Sequence, residues 1–254
     1  MTSGNTAKPS PTAIQADHTP RRIGLITGLA DERAILADAI DGGAPGRDWP
    51  RLLCAGADAR RAEQQAKDLI AAGADGLVSV GVTGGLDPAL RPGRVLLPDA
   101  IRGPDDPDVP ADSAWHAAVH NAFTRAGLDA TAGTLLGTRA PVTTANAKAR
   151  LFADTGAVAV DMESAAVAGV AAARGVPVLA LRAVADPAER SLPGLVDGAV
   201  TPDGRGRPGL IALRLCAQPW RLPALLQLRR DYGLALTALK RAVGIAGDAL
   251  LGGG

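Results

Sequence analysis

Three acidic side chains, Glu32, Glu163 and Asp186, each follow a short apolar run that reads as a buried strand. A lone acid in that position is most often a helix cap or a solvated charge. Three that converge on one edge of an α/β sheet make a candidate site for acid–base chemistry, because open sheets bind their ligands at the carboxyl ends of the strands. A fourth strand end carries Gly81-Val82-Thr83-Gly84-Gly85. Its glycines let a ligand come close to the backbone, although the segment alone is equally consistent with an ordinary turn. It is not a Walker loop, because no Gly-Lys-Ser/Thr follows, and it lacks the G-x-G-x-x-G spacing of a dinucleotide fingerprint.

Other chemistries find little support. His116 and His120 stand four apart on an expected helix, but Ala117 follows the first where a zinc peptidase needs Glu, so both read as surface histidines. His18 lies near the start of the chain, and no Ser-His pair is apparent. Cys54 and Cys216 have neither the spacing of a zinc site nor that of a disulfide framework, which fits a reducing compartment. A formal net charge of +1 argues against a nucleic-acid partner.

The elements that must hold these residues alternate. Strands are expected over 22–28, 52–56, 76–82, 94–97, 134–137, 157–160 and 177–183, the last ending near Asp186. Helices are expected over 31–40, 62–72, 114–126, 144–153 (capped by Thr143 or Thr144) and 164–174. Most of the strands are unbroken apolar runs, which indicates an α/β sheet covered on both faces. Residues 1–20 are polar and rich in Pro, Ser and Thr, and are expected to form a disordered leader without a secretion signal. No uninterrupted apolar window is long enough to span a bilayer, and the two cysteines and the leader agree on a cytoplasmic protein as the expectation. From residue 202 onward eight basic residues stand against three acids, among many leucines and Trp220. Such a segment either packs on the core with its arginines in water or lies in a membrane interface, giving peripheral contact with the inner face of the cytoplasmic membrane.

Taken together, Ser79–Gly93 (SVGVTGGLDPALRPG) and Val158–Asp186 (VAVDMESAAVAGVAAARGVPVLALRAVAD) resemble the purine nucleoside phosphorylase and nucleosidase superfamily. The resemblance covers about residues 22–192. Its most specific pattern is Asp161-Met162-Glu163, an Ala-rich helix, Gly-Val-Pro, then Arg182-Ala183-x-x-Asp186. Within the superfamily, GLITGLADE, LDPALRPG and LRAVADPAERSLP are most similar to the hopanoid-associated phosphorylases, also described as adenosylhopane nucleosidases. The resemblance implies a three-layer α/β/α fold around a twisted mixed sheet. It implies a phosphorylase-like domain over 21–201, followed by a basic, Leu-rich helical tail over 202–254.

It also implies cleavage of a nucleoside N-glycosidic bond, with release of adenine from adenosylhopane. Asp186 then matches the acid that serves the departing purine, Glu32 the acid that positions water, and Glu163 the acid that grips the ribose hydroxyls, with Met162 beneath the sugar. Val82, Thr83 and Gly84 present backbone to base and sugar, while Pro141 and Val142 line the base pocket. An unperturbed Asp ionises near ~3.9, so Asp186 needs burial, beside Val184 and Pro187, to keep a proton. No metal or organic cofactor is implied; phosphate is the one co-substrate to consider. Implied partners are a lipidic nucleoside, a membrane surface and further copies of the chain.

Two positions depart from the pattern. Ser79 and Val82 stand where many bacterial phosphorylases place an Arg and a Ser for phosphate, which would leave anion binding to Arg33, Arg60, Arg61, Arg139 or another subunit. Ala185 stands where nucleosidases often carry a Ser that orients the acid. Two alternatives therefore stay open. One is a soluble enzyme for a small nucleoside such as methylthioadenosine or futalosine; the other is a silent nucleoside- or lipid-binding protein.

Overall fold

A computed structural model describes residues 22–41, 49, 51–104, 106–194, 198, 200–201 and 203–252. The expected leader over 1–20 lies outside the described residues. Ten strands and seven helices follow in the order β1 (Ile23–Thr27), α1 (Ala30–Asp41), β2 (Arg51–Cys54), α2 (Ala59–Ala71), β3 (Gly76–Gly85), β4 (Val95–Leu96), β5 (Ala100–Arg102), β6 (Val109–Pro110), α3 (Ser113–Arg125), β7 (Ala130–Thr131), β8 (Thr134–Gly137), α4 (Ala145–Thr155), β9 (Ala159–Asp161), α5 (Ser164–Arg174), β10 (Val178–Asp186), α6 (Pro208–Ala217) and α7 (Leu222–Leu251). Three short strands, β5, β6 and β7, escaped the sequence reading. At two or three residues each they are too short to show a period.

The strands form one mixed sheet in which β3 is central. It pairs in parallel with β10 along nearly its whole length. On its other side it pairs first with β1 in parallel, from Ile23 with Gly76 to Ile26 with Ser79, and then with β9 antiparallel at Gly84 and Gly85. Between these two partners β3 has no strand neighbour on that flank. Of the two readings open for Gly81–Gly85, the ordinary turn does not hold: Thr83, Gly84 and Gly85 continue β3 beyond the expected end at Val82, held by β9 on one side and β10 on the other.

Strand alternation distributes the core. In β10, Leu179, Leu181 and Ala183 face one layer, while Val178, Ala180 and Val184 face the other. The first layer is closed by Leu36 of α1, by Trp115, Val119 and Phe123 of α3, and by Leu239 and Val243 of α7. The second is closed by Ala62, Ala66 and Leu69 of α2 and by Val167, Ala168 and Ala171 of α5. The small residues of α2 and α5 let those helices approach the sheet closely, which accounts for a dense core with few aromatics.

Helix ends follow local rules. Asp58 caps α2 by accepting from the backbone N–H groups of Arg60 and Arg61, and the Thr144 side chain accepts from Ala147 N at 3.2 Å to start α4. Gly156 and Gly175 end α4 and α5 in the left-handed conformation.

The basic, Leu-rich region divides in two. The second part of α7 is core, with Ala235, Leu239, Ala242, Val243, Ala246 and Leu250 buried at helical spacing. Trp115 of α3, itself fully buried, donates its indole N–H to Ala249 O at 2.8 Å and fastens the helix end. The first part, with α6 and the turn at Pro219–Arg221, leaves Leu213, Trp220, Leu222, Leu226 and Leu234 exposed. Among the described residues no helix is long and apolar enough to cross a membrane.

Candidate active site

The cleft forms where β3 changes partners. β1 ends at Thr27 and β9 does not join until Gly84, so the Val82 N–H has no strand partner on that flank. Glu32, in the first turn of α1, takes it: Oε1 accepts from Val82 N at 2.8 Å, and Oε2 accepts from Gly28 N at 2.9 Å and Leu29 N at 2.8 Å. A crevice at a change in strand order is where open α/β sheets bind ligands. Burial pushes the Glu32 carboxyl up, against the pull of these three N–H groups and of Arg182.

The backbone is built to admit the acids. A Cβ on Gly81 would lie 2.8 Å from Glu32 Oε1, and a Cβ on Gly28 would lie 2.9 Å from Glu163 Oε1. Gly81→Ala is therefore expected to displace Glu32, costing about 1–3 kcal/mol through forced packing and slowing turnover at least ~tenfold by misplacing a reacting group. Thermal melts and base-release rates on the purified variant check it; an unchanged rate would show that Glu32 need not sit where it does.

Glu163 follows β9 and immediately precedes α5. It is buried, and burial, with Asp161 and Glu32 nearby, drives its carboxyl up to about 8, while Arg182 opposes. Arg182 is almost wholly buried in β10 and donates from Nε to Asp161 Oδ2 at 2.8 Å and from Nη2 to Ser79 Oγ at 2.6 Å. Asp161 also accepts from Ser164 Oγ at 2.6 Å. This pair places one cation behind two carboxyls, limiting how far burial can raise them.

The raised Glu163 makes stability pH-dependent. Between the ordinary value of 4.5 and about 8 the folded chain holds a proton that the unfolded chain has released. Stability then falls as pH rises through that window. Melting temperature is expected to drop between pH 5.5 and 8.5, and the slope to flatten in Glu163→Gln; parallel slopes in the two proteins would contradict it.

Asp186 ends β10. A register shift between Val184 and Asp186 brings Asp186 opposite Gly84. Lys148 of α4, fully buried, pairs with Asp186 Oδ2 and also donates to Pro187 O at 2.9 Å and Arg190 O at 3.1 Å. Asp186 Oδ1 is buried without a hydrogen-bond partner. Burial raises the Asp186 carboxyl and Lys148 lowers it; burial has the larger effect.

All nine residues singled out in the sequence line one cleft of about 300 Å³: Glu32, Val82, Thr83, Gly84, Pro141, Val142, Met162, Glu163 and Asp186. Leu192, Val200, and Leu228 and Tyr232 of α7 add an apolar side that the sequence reading did not reach. Thr83 spends its hydroxyl on Val160 O at 2.7 Å, which leaves backbone and methyl for a ligand. Ser79 is fully buried against Arg182 and does not reach the cleft. Among the described residues no arginine lines this cleft. Arg60 and Arg139 line a larger, more polar hollow of about 780 Å³ beside it, which shares Ala57, Thr138 and Met162 with the cleft. The surface position expected for His116 is corrected: its side chain is mostly buried, with Nε2 3.1 Å from Leu97 O and 3.6 Å from Asp99 Oδ1, and it does not line the cleft, while His120 is exposed. Among the described residues no group of three His, Cys, Asp or Glu side chains is arranged to hold a metal ion.

Residues 46–200, more than half of the chain, match the phosphorylase superfamily. The chain belongs to that superfamily. Solved structures agree on the fold. A 5′-methylthioadenosine/S-adenosylhomocysteine nucleosidase of Neisseria meningitidis, in complex with methylthio-immucillin-A, superposes with a TM-score of 0.66 at 18% identity, covering 89% of this chain and 97% of that one. A Helicobacter pylori nucleosidase of the same name, with 5′-methylthioadenosine in its active site, gives 0.62 at 16%, covering 89% and 99%. The futalosine hydrolase of Helicobacter pylori gives 0.62 at 16%, covering 88% and 97%. At such identities the likeness shows the fold alone, a central mixed sheet flanked by helices. A search of curated proteins found no match in sequence.

Proposed function

We propose that the chain is a nucleosidase that hydrolyses the N-glycosidic bond of a purine nucleoside and releases the base. The observation that carries this reading is one cleft walled by three buried carboxyls in different surroundings: Asp186 against a buried cation, Glu32 on backbone N–H groups, and Glu163 beside Asp161 and Arg182. Membership of the superfamily and the shared fold of the nucleosidases support it.

The chemistry divides among them. A purine anion leaves poorly, so Asp186 protonates the ring as the C1′–N bond breaks. The sugar becomes cation-like, and Glu163 holds its hydroxyls. Glu32 orients water toward C1′ and accepts its proton as the new C–O bond forms. Hydrolysis is favoured over phosphorolysis because Ser79 is occupied by Arg182 and no described arginine lines the cleft.

The substrate we favour carries a large apolar 5′ group, adenosylhopane being the compound implied by the sequence resemblance. Leu228 and Tyr232 bring α7 into the cleft wall, and Trp220, Leu222 and Leu226 stand exposed on the same stretch of chain among Arg221, Arg229 and Arg230. Apolar side chains interleaved with arginines suit the surface of an anionic bilayer. The test is adenine release from adenosylhopane in detergent against 5′-methylthioadenosine. A kcat/KM at least ~tenfold higher for the lipidic nucleoside is expected, since several buried methylenes contribute about 0.8 kcal/mol each. Equal values would favour an enzyme for small nucleosides, and binding of both without base release would favour a silent binding protein.

A further inference from the structure

Lys148 has no part in the pattern that led to the site, yet it is the one lysine among the described residues that is wholly buried. Burying an ammonium costs several kcal/mol, and the surroundings on α4 are apolar, with Leu151 and Phe152 packed beside Leu136 and Val160. An apolar residue would have filled the position without that cost. The charge is instead fully engaged: an ammonium has three N–H donors, and the three go to Asp186 Oδ2, Pro187 O and Arg190 O. A neutral amine has only two donors, so this cage is made for the charged form. With Oδ2 taken, Oδ1 is the oxygen of Asp186, itself a cleft residue, that is buried without a hydrogen-bond partner among the described residues.

We propose that Lys148 is the positioning residue of the general acid, pinning one oxygen of Asp186 so that the other faces the departing base and holding the negative charge left when the proton is given up. This rests on the reading of Asp186 as the acid of base release. In the step, the O–H bond at Oδ1 breaks and an N–H bond forms on the purine ring, while the C1′–N electron pair leaves with the base. Water adds to C1′ and gives its proton to Glu32, and solvent later returns a proton to Asp186. Lys148 keeps its own protons throughout. It supplies the orientation that a hydroxyl at position 185 would give and that Ala185 cannot.

Other charges face the pair. Arg190 and Glu189 follow β10, Arg190 is paired with Asp231 of α7, and Glu189 with Arg91. Arg190 acts on Asp186 in the same direction as Lys148, and Glu189 opposes both. Burial is the main force raising Asp186, so removing Lys148 leaves the acid holding its proton to higher pH and giving it up less readily.

The experiment compares intact wild-type chain with Lys148→Met, Lys148→Gln, Lys148→Ala and Asp186→Asn, with folding checked by circular dichroism and nucleoside binding. For Lys148→Met we expect kcat to fall about 10²-fold, within the range for a general-acid contribution, with KM changed less than about threefold. The alkaline limb of its kcat profile should move up. Ethylamine added to Lys148→Ala should restore at least ~tenfold of the lost rate. Lys148→Gln, which keeps a donor on a similar stem, should fall between and provides the same limb test if the Met variant does not fold. A loss of rate with the limb unmoved and no rescue by amine would overturn the proposal as a purely structural effect. An unchanged Lys148→Met beside an inactive Asp186→Asn would overturn the proposal and leave the reading of Asp186 standing. Full activity in Asp186→Asn would remove both.

Discussion

Asp186→Asn is expected to lower base release by about 10²–10⁴-fold, the span that general-acid catalysis supplies, while nucleoside binding survives. The amide keeps the shape of the carboxyl and can still accept from Lys148, but its N–H protons are not acidic enough to be transferred to the base. The effect should depend on the leaving group. A purine already methylated at N7 departs without needing a proton, so the variant should lose far less activity on 7-methylguanosine than on an adenine nucleoside. Wild-type turnover should also fade as pH rises through the point where Asp186 loses its proton, which burial holds above the ordinary carboxylate range. Equal losses on both substrates would mean that Asp186 binds the base without protonating it.

Glu32→Gln is the second large effect. Its carboxylate accepts three backbone N–H groups, and Oε1, bonded to Val82 N alone, keeps a lone pair for water. An amide places an NH₂ where one of the two oxygens accepted. Either the pair from Gly28 and Leu29 or the bond from Val82 is then lost, at about 1–3 kcal/mol for buried donors left unpaired. Water activation is lost as well, because an amide does not take up a proton at these pH values. Turnover by hydrolysis should fall about 10²–10⁴-fold, with a lower melting temperature and KM little changed. If the nucleophile were phosphate, Glu32 would have no proton to accept, and the variant would keep most of its rate in phosphate buffer. Measuring both nucleophiles on the same preparation separates the two.

The alternation of strands and helices was legible because most strands are buried on both faces and read as apolar runs, and because Gly73, Gly127 and Gly175 mark helix ends. The acids were legible because each stands just past such a run. What sequence could not show is how the chain brings them together. The gap on the flank of β3, which frees the Val82 N–H for Glu32, arises from β1 and β9 sharing one edge. That is pairing between segments far apart in sequence, and no local pattern encodes it. Arg182 did carry a signal, being the one charge inside the run PVLALRA. A charge there must find a buried partner, and Asp161 is that partner. Lys148 carried none, since a lysine on an amphipathic helix ordinarily faces water. For the C-terminal segment composition left packing and membrane contact both open, because it averages two parts: exposed leucines with Arg221, Arg229 and Arg230 come first, and a run whose small and branched residues are buried in the core follows.

The most direct single measurement is release of adenine by the intact chain from a purine nucleoside in phosphate-free buffer, with the sugar product weighed by mass spectrometry. The arrangement of Glu32, Glu163 and Asp186 predicts adenine together with the free ribosyl product, at a rate that added phosphate does not change. Release only when phosphate is present, with a phosphorylated sugar, would contradict the role given to Glu32. No release from any purine nucleoside would contradict N-glycosidic hydrolysis itself.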